Sequence, residues 1–319
     1  MLSQKYKGEI MEQKSSFITI IGRPNVGKSS LLNKIVGQKV AIVSDKPQTT
    51  RTKIMGVVTK DETQLVFIDT PGFHKPHNLL GDSMIKAVKD GMSDVDGAVL
   101  VIDACPDFKL DFDNLPPAEL ALLENVKQKK LKCILVINKI DLLKDKEVLF
   151  GIITAYAKLY DFEAVIPLSA KSGDGVDILL AEINKLAKPS PHFFASDDFS
   201  DQPEKVMVAE MIREKLLRCL SKEVPHGVAV DLEKFYETDT VNGEPVLHVD
   251  AVIYCEKDSH KGIIIGKGGE MLKRIGTYAR KDIENFFGIK ASVKLWVKVK
   301  EDWRNRQGLI HTFGLDNLN

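Results

Sequence analysis

The segment Gly22-Arg-Pro-Asn-Val-Gly27-Lys28-Ser29 has the spacing G-x-x-x-x-G-K-S. Its glycines allow backbone N–H groups to curl around phosphate oxygens, and a helix beginning there adds its positive dipole end. Lys28 would then reach the β- and γ-phosphates, and the Ser29 hydroxyl would bind Mg²⁺. A glycine-rich turn with a solvated lysine is the weaker interpretation between a strand and a helix. The segment predicts a nucleoside triphosphate site that contains Gly22, Asn25, Val26, Gly27, Lys28, Ser29 and Ser30.

A carboxylate and a glycine follow a second apolar run, in Asp69-Thr-Pro-Gly72. A carboxylate at the end of a strand can hold Mg²⁺, usually through a water, and the Gly72 N–H can approach a γ-phosphate. The pattern D-x-x-G alone is a common turn. Its position after a phosphate-binding loop predicts that Asp69 serves the metal, together with Ser29.

The identity of the base is indicated by Asn138-Lys139-Ile-Asp141, which ends another apolar run. Asp141 can accept hydrogen bonds from N1 and the amino group of guanine, whereas adenine would leave this carboxylate unpaired at a cost. Asn138 would tie the base to the phosphate loop, and the Lys139 stem would lie along the guanine face. In Ser169-Ala170-Lys171, after the next run, the Ala170 N–H could donate to guanine O6. These segments predict GTP rather than ATP.

The elements that must hold these loops alternate between short apolar runs and amphipathic stretches. The continuous runs, at residues 17–22, 65–69, 98–103, 133–138 and 164–169, are typical of parallel strands buried on both faces. Residues 54–60 are expected to pair antiparallel beside 65–69. The pattern predicts an α/β fold, a doubly wound and mostly parallel sheet with its ligand at the carboxyl ends of the strands. We expect this domain to span residues 1–188.

A change of composition marks a second domain. Residues 189–204 are rich in proline and acidic residues and have no periodicity, so they are predicted to be a linker. Residues 205–319 then predict a smaller α+β domain followed by a C-terminal tail. Its order is a helix, two strands joined by an Asn-Gly turn, a helix interrupted by glycines, and a last strand.

The interrupted helix contains Gly266-Lys267-Gly268-Gly269 after three isoleucines, and this resembles the KH motif in its type II order. In KH domains such a loop clamps about four nucleotides of single-stranded RNA. The residues predicted to contact RNA are Ile263, Ile264, Ile265, Gly266, Lys267, Gly268, Gly269, Lys273 and Arg274. A solvated helix face is the better interpretation of Lys273 and Arg274 taken singly.

Charge and cysteine usage narrow the class of protein. The chain has 45 Lys/Arg and 45 Asp/Glu, but residues 257–306 carry 13 basic and 6 acidic residues, a local balance of +7 that suits a polyanion. The four cysteines are far apart, which argues against a zinc site or a disulfide framework. No apolar run approaches the ~20 residues of a membrane-spanning helix, and the N-terminus lacks the apolar core of a secretory signal. A soluble, cytoplasmic protein is expected.

The nucleotide-binding segments together resemble the translation-factor-like superclass of P-loop GTPases, whose fold is Ras-like. Gln48-Thr-Thr50-Arg51 resembles the first switch segment of that superclass. The resemblance implies that Thr50 binds Mg²⁺ when the γ-phosphate is present, although Thr49 is adjacent and a solvated hydroxyl is the alternative. Lys28, Thr50 and Gly72 are the residues expected to act in catalysis.

The chain departs from the Ras-like pattern after Gly72, where a glutamine would orient the attacking water. Phe73 stands there and cannot do so, which resembles a subgroup that positions water by other means. Asn25 fits the pattern in which an asparagine helps to hold K⁺ near the phosphates, and bracing of the loop is an equal alternative. Both roles of Asn25 stay open.

A P-loop GTPase domain joined by a short linker to one KH domain, over roughly residues 17–309, resembles the Era family of bacterial GTPases. The resemblance implies a ribosome-assembly GTPase that uses GTP/GDP and Mg²⁺ and binds the 3′ end of small-subunit ribosomal RNA. It also implies a monomer that can associate peripherally with the inner face of the cell membrane. Two functions stay open: an enzyme whose GTP hydrolysis gates RNA binding, and an RNA-binding module that holds nucleotide as a static cofactor.

Overall fold

A mostly parallel sheet forms the first domain of the computed structural model, which describes residues 12–46, 48–72, 78–105, 115–145, 147–221 and 224–315. The strand order is β2-β3-β1-β4-β5-β6, with β2 antiparallel to β3 and the short β7 antiparallel to the start of β1. The strands are β1 (Lys14–Ile21), β2 (Ile54–Lys60), β3 (Thr63–Asp69), β4 (Gly97–Asp103), β5 (Lys132–Asn138), β6 (Ala164–Pro167) and β7 (Lys188–Pro189).

Helices cover both faces of this sheet, which explains why its strands are continuously apolar. One core packs the sheet against α1 and α5, and the other packs it against α2, α3 and α4. Successive residues of a strand serve opposite cores: Val99 and Val101 face the first, and Leu100 and Ile102 face the second. The helices are α1 (Lys28–Val36), α2 (Leu79–Gly91), α3 (Pro117–Gln128), α4 (Glu147–Ala157) and α5 (Val176–Asn184). The predicted doubly wound fold is confirmed.

The second domain has the predicted order of helix, two strands, two helices and strand. Its sheet has the order β10-β9-β8, in which β8 and β9 are antiparallel and β9 and β10 are parallel. The elements are α6 (Glu204–Cys219), β8 (Ala229–Asp239), β9 (Pro245–Cys255), α7 (Asp258–Ile265), α8 (Glu270–Phe287), β10 (Lys290–Val299) and α9 (Gln307–Thr312). The first helix ends at Cys219, since Leu220 has extended backbone.

The segment predicted to be a linker lies along the edge of the first sheet. The Val57 N–H donates to the carbonyl of Phe199, and the side chain of Gln64, which is fully buried, bonds the backbone of Phe193 and Phe194. The Phe193 ring also meets Phe17 edge to face at 5.0 Å. Backbone pairing and aromatic contacts therefore hold this predicted linker against the first domain.

The two domains meet where α6 packs against the chain that follows α1. The carboxylate of Glu214, which is almost fully buried, accepts hydrogen bonds from Lys39 (2.6 Å), the Val43 N–H (3.0 Å), Lys215 (2.9 Å) and Arg218 (2.9 Å). Burial alone would raise the pKa of Glu214, but the hydrogen bonds and charge of Lys39, with the bonds from Lys215 and Val43, hold it below its ordinary value.

We expect Glu214→Gln to lower the free energy of unfolding by about 3–5 kcal/mol, because it removes the buried negative charge that pairs with the buried Lys215 and the partly buried Lys39, which keep only Asp282. A carboxylate with a lowered pKa contributes stability above its unfolded pKa and loses it as pH falls through the folded value. Urea unfolding at pH 7 should therefore give a lower free energy of unfolding for the variant than for wild type. This difference should shrink as the pH falls well below 4.5, the ordinary pKa of a glutamate. Glu182→Gln, which removes an exposed i,i+3 pair with Lys185, is the control and should cost less than about 1 kcal/mol. Equal effects of the two variants would contradict the prediction.

Candidate functional site

The loop between β1 and α1 has backbone geometry that only glycine allows at one position. Gly27 has φ +98, and a Cβ there would lie 2.3 Å from Nδ2 of Asn138. The Asn138 amide donates from this nitrogen to the Val26 carbonyl at 2.8 Å and accepts from the Ala170 N–H at 2.9 Å. The loop after β5 is thereby joined to the loop before α1, while the predicted contact of Asn138 with a base stays a prediction.

Lys28 is buried at the start of α1, and its Nζ donates to the carbonyls of Gly22 (3.1 Å) and Arg23 (3.0 Å). Burial lowers the pKa of Lys28 to about 8, with the Asp69 carboxylate opposing the change and the Arg23 cation adding to it. A polyphosphate beside Lys28 would favour the charged ammonium and raise this pKa again.

GTP binding should therefore be accompanied by proton uptake at alkaline pH. Near pH 8, about half a proton should be taken up for each nucleotide bound, because a lysine at its pKa is half protonated and a phosphate favours its charged form. Calorimetric titrations in buffers of different ionisation enthalpy measure this uptake directly. Lys28→Met should remove it, whereas Lys34→Met, on the same helix, should not. An uptake of zero in wild-type protein at pH 8 would show that Lys28 is fully charged before nucleotide binds.

Three oxygen-bearing side chains meet beside Lys28, although their residues are far apart in the chain. Ser29 Oγ lies 2.7 Å from Asp69 Oδ2 and 2.9 Å from Thr50 Oγ1, and Thr50 Oγ1 lies 3.5 Å from Asp69 Oδ2. Asp69 Oδ1 is buried and has no hydrogen-bond partner among the described residues. Burial raises the pKa of Asp69 against the opposing effects of Lys28, Ser29 and Thr50. An orphaned carboxylate oxygen beside two hydroxyls fits the hard oxygen ligands that Mg²⁺ prefers.

Lys28, Ser29 and Thr50 line a cavity of about 360 Å³ at the carboxyl ends of the strands, where a doubly wound fold binds its ligand. Its lining residues are Pro24, Asn25, Gly27, Lys28, Ser29, Ser30, Val43, Ser44, Asp45, Gln48, Thr49, Thr50, Gly72 and Lys139. A larger cavity, of about 720 Å³, lies at the opposite end of the sheet between the β2–β3 turn and α5, away from this cluster.

The residues predicted to read the base follow β5 and β6. Asp141 is exposed, and its Oδ1 accepts from Ser169 Oγ at 2.7 Å, which orients the carboxylate. Lys139 is held by Asp103 at 2.5 Å. The Ala170 N–H, expected to face guanine O6, donates here to Asn138 Oδ1 instead, and Lys171 is exposed.

Sequence reasoning missed a buried carboxylate behind the phosphate loop. Glu119 of α3 is 1% exposed and accepts hydrogen bonds from both Arg23 and the hydroxyl of Tyr156. The spacing of these three residues gives no signal, because they lie on a loop and two helices that only the fold brings together. Asn25 also has a partner in the structure, since its amide donates to the Asp45 carbonyl at 2.7 Å. Phe73 and residues 106–114 lie outside the described residues.

The glycine-rich loop between α7 and α8 has positive φ at its three glycines. Gly266, Gly268 and Gly269 have φ of +74, +60 and +83, and Lys267 is exposed. The three predicted isoleucines do not share one role. Ile263 is 50% exposed and Ile265 is half-buried, but Ile264 is fully buried in the core of the domain. The helical period turns the Ile264 side chain inward, so it supports α7 and has no surface for RNA; Lys273 and Arg274 are exposed.

Two family models match the chain in this order. One, described as a 50S ribosome-binding GTPase, matches residues 17–139, and the other, a KH domain, matches residues 223–304. GTPase Era of Clostridioides difficile is 47% identical over 304 residues, which cover 95% of this chain and 99% of that protein. The chain belongs to the Era family of GTPases. A second relative, GTPase Era of Ruminiclostridium cellulolyticum, is also 47% identical and covers 95% of this chain and 98% of its own length.

Solved structures of Era agree with the fold. A variant of Aquifex aeolicus Era bound to GDP and AlF4⁻ superposes with a TM-score of 0.87 at 34% identity, over 95% of this chain and 99% of that one. Era in complex with MgGDPNP and nucleotides 1506–1542 of 16S ribosomal RNA has the same TM-score, identity and coverage. The present protein is therefore a GTPase with a KH domain, and its cofactors are guanine nucleotide and Mg²⁺. The interpretation of the nucleotide as a static cofactor is set aside.

Proposed function

We propose that this protein hydrolyses GTP in a cycle governed by its binding, through the KH domain, to the 3′ end of small-subunit ribosomal RNA. This cycle would serve assembly of the small ribosomal subunit. The complex of an Era relative with nucleotides 1506–1542 of 16S ribosomal RNA supports the proposal that the RNA is the 3′ end of small-subunit ribosomal RNA. In this assignment Lys28 holds the β- and γ-phosphates, Ser29, Thr50 and Asp69 serve Mg²⁺, and the Gly72 N–H approaches the γ-phosphate.

The observation that carries the coupling is the contact between the switch segment and the KH domain. The Thr50 hydroxyl lies beside Ser29 and Asp69, and the carbonyl of its neighbour Thr49 accepts a hydrogen bond from Arg213 of α6. Arg51 is buried and donates to the carbonyls of Val228 (2.7 Å) and His226 (3.0 Å). A change of the switch segment at hydrolysis would therefore change contacts of the domain that holds RNA.

Phosphate release measured with and without a single-stranded fragment of the ribosomal RNA 3′ end tests this proposal. We expect the RNA to raise the rate of hydrolysis, and a Gly269→Asp chain to lose that increase while its basal rate stays unchanged. A rate that RNA leaves unaltered in wild-type protein would contradict the coupling.

We further propose that K⁺ supports hydrolysis, since Phe73 cannot orient the attacking water. Replacing Na⁺ by K⁺ at constant ionic strength should raise the rate by about tenfold or more, as electrostatic stabilisation of transition-state charge does elsewhere. Asn25→Ala should lose the increase but still bind nucleotide, and Asn184→Ala, an exposed asparagine on α5, is the control. Equal rates in both salts for wild-type protein would leave Asn25 as a brace of Asp45 only.

We place the protein in the cytoplasm as a monomer that can associate peripherally with the inner face of the membrane, as the family resemblance implies. Among the described residues, no helix combines the length and apolar character needed to cross a bilayer. Flotation with vesicles and sedimentation of the purified chain would test these two points.

A further inference from the structure

The face of the KH-domain sheet that points away from its helices has an unusual composition along its edge strand. In β10 the odd-numbered residues Ala291, Val293, Leu295, Val297 and Val299 pack into the core of the domain. The even-numbered positions carry Lys290, Ser292, Lys294, Trp296 and Lys298, and Lys300 follows. Because side chains alternate across a strand, all of these lysines and the tryptophan share the outer face, and residues 290–300 contain no acidic side chain.

Aromatic side chains continue this face across the neighbouring strands. Ser292 is paired in register with His248 of β9, which is paired in turn with Tyr236 of β8. The Tyr236 and His248 rings are stacked, with centroids 4.9 Å apart and an interplanar angle of 11°. Trp296 is 43% exposed and Tyr236 is 48% exposed. The face therefore presents flat aromatic surfaces among cations.

The C-terminal segment covers only one end of the same face. Phe313 packs on Tyr254 at 5.0 Å, and Ala229 is buried in a cluster with Trp303 and Ile310. At this covered end Lys298, in register with Tyr254, is paired with Glu233 (2.9 Å), and further along the face Lys234 is paired with Asp250 (3.7 Å). Lys290 and Lys294 make no ion pair within the described part of the chain, so their charges are available to a ligand.

Lysines on an edge strand also protect a sheet against pairing with another chain. An exposed tryptophan among them works against that protection, because it adds apolar surface at the edge. Aromatic surfaces on a sheet, interspersed with cations, are the arrangement by which proteins stack the bases of single-stranded nucleic acid and hold its phosphates. We propose that the outer face around Trp296, His248, Tyr236 and Lys294 is a second binding surface for single-stranded RNA.

This surface is distinct from the glycine-rich loop, which belongs to the helices on the opposite face of the sheet. β10 is one of the two edge strands, and α7 and α8, which flank the loop, pack against it. An RNA strand held by the loop can therefore continue around that edge onto the outer face. The inference extends the proposed RNA-binding function. The loop holds about four nucleotides. Longer RNA should therefore bind more tightly, because it also contacts the second surface.

The full-length chain allows a direct measurement, because it has two tryptophans and Trp303 is fully buried. Two unstructured single-stranded RNAs, of about four and about sixteen nucleotides, are titrated into the protein while its tryptophan emission is recorded. Their lengths span the site sizes of single-strand-binding domains. We expect the long RNA to quench the emission of Trp296. Trp296→Ala should weaken binding of the long RNA by about tenfold to a hundredfold and leave the short RNA unaffected, whereas Trp296→Phe should retain most of the affinity.

Charge is tested separately with Lys294→Gln, which should lower the slope of affinity against salt by about 0.7 for the long RNA. Lys205→Gln, an exposed lysine at the start of α6, makes the same change of charge on another face and should have no effect. Unquenched emission together with unchanged affinity of Trp296→Ala for the long RNA would overturn the proposal. It would also be overturned if Trp296→Ala altered only the sedimentation of the protein, because the face would then be a protein interface. Failure of the short RNA to bind wild-type protein would instead contradict the role of the glycine-rich loop.

Discussion

Asp141→Asn should lose most of its affinity for GTP and gain affinity for xanthosine triphosphate. The carboxylate of Asp141 is exposed and is oriented by Ser169, which donates to one of its two oxygens. An asparagine amide cannot accept both donors of guanine, but it can donate to the carbonyl that replaces the amino group in xanthine. Losing a charge-assisted hydrogen bond should cost about 2–4 kcal/mol, or roughly 30-fold to 1,000-fold in affinity.

Nucleotide titrations with GTP and xanthosine triphosphate on both proteins provide the measurement. Asp161→Asn, which makes the same change at an exposed site, is the control and should preserve the preference for GTP. The ratio of the two affinities is the decisive quantity, since a variant that merely folds less well would lose both ligands together. An unchanged ratio in Asp141→Asn would remove Asp141 from the base-binding site.

Gly269→Asp should abolish binding of short single-stranded RNA while leaving GTP binding intact. Gly269 has φ +83, and a Cβ there would find no atom within 4 Å, so a side chain meets no steric clash and the cost is confined to the backbone conformation. Asparagine and aspartate tolerate this left-handed conformation better than other residues. Aspartate, however, adds a negative charge where the phosphates must approach the backbone.

The matched control is Gly269→Asn, which adds a side chain of the same shape without the charge and should bind RNA more tightly than Gly269→Asp. Gly266→Asp is a less informative variant, because its Cβ would lie 2.7 Å from Cβ and 2.9 Å from N of Met271 and would disturb the start of α8. Lys267→Ala should be milder, removing about one phosphate contact and up to about one unit of salt slope. Filter binding at several salt concentrations, on single-stranded and duplex RNA, measures these effects. Full affinity in Gly269→Asp would show that the loop is only a turn.

The sequence predicted the loops of the nucleotide site because their chemistry is local. Each loop follows a buried strand, and parallel strands end at one edge of the sheet, so Ser29 and Asp69 had to meet there. The same holds for the glycine-rich loop, whose backbone conformation depends on its own three glycines. The order of elements in both domains follows from hydrophobic periodicity, which each segment carries by itself.

Contacts between segments far apart in sequence could not be predicted in this way. The Glu119 carboxylate behind Arg23, the attachment of residues 193–200 to the sheet edge, and the position of Ile264 in the core all depend on packing. The Ala170 N–H bonds Asn138 because two loops approach more closely than spacing could indicate.

The sequence by itself determined the two domains, the guanine-nucleotide chemistry and the motif for RNA, since these depend on residue types at fixed spacing. Only the tertiary structure decided how the domains act on each other. Val43, Thr49 and Arg51 are fixed by α6 and the segment after it, 164 to 177 residues further along the chain. Such contacts form when two separately folded surfaces meet, and their pairing is set by shape and charge complementarity rather than by any local pattern. The outer face of the KH sheet could not be predicted from the sequence for the same reason. Side chains alternate along β10, but only the packing of the helices and the C-terminal segment decides which of its faces stays uncovered.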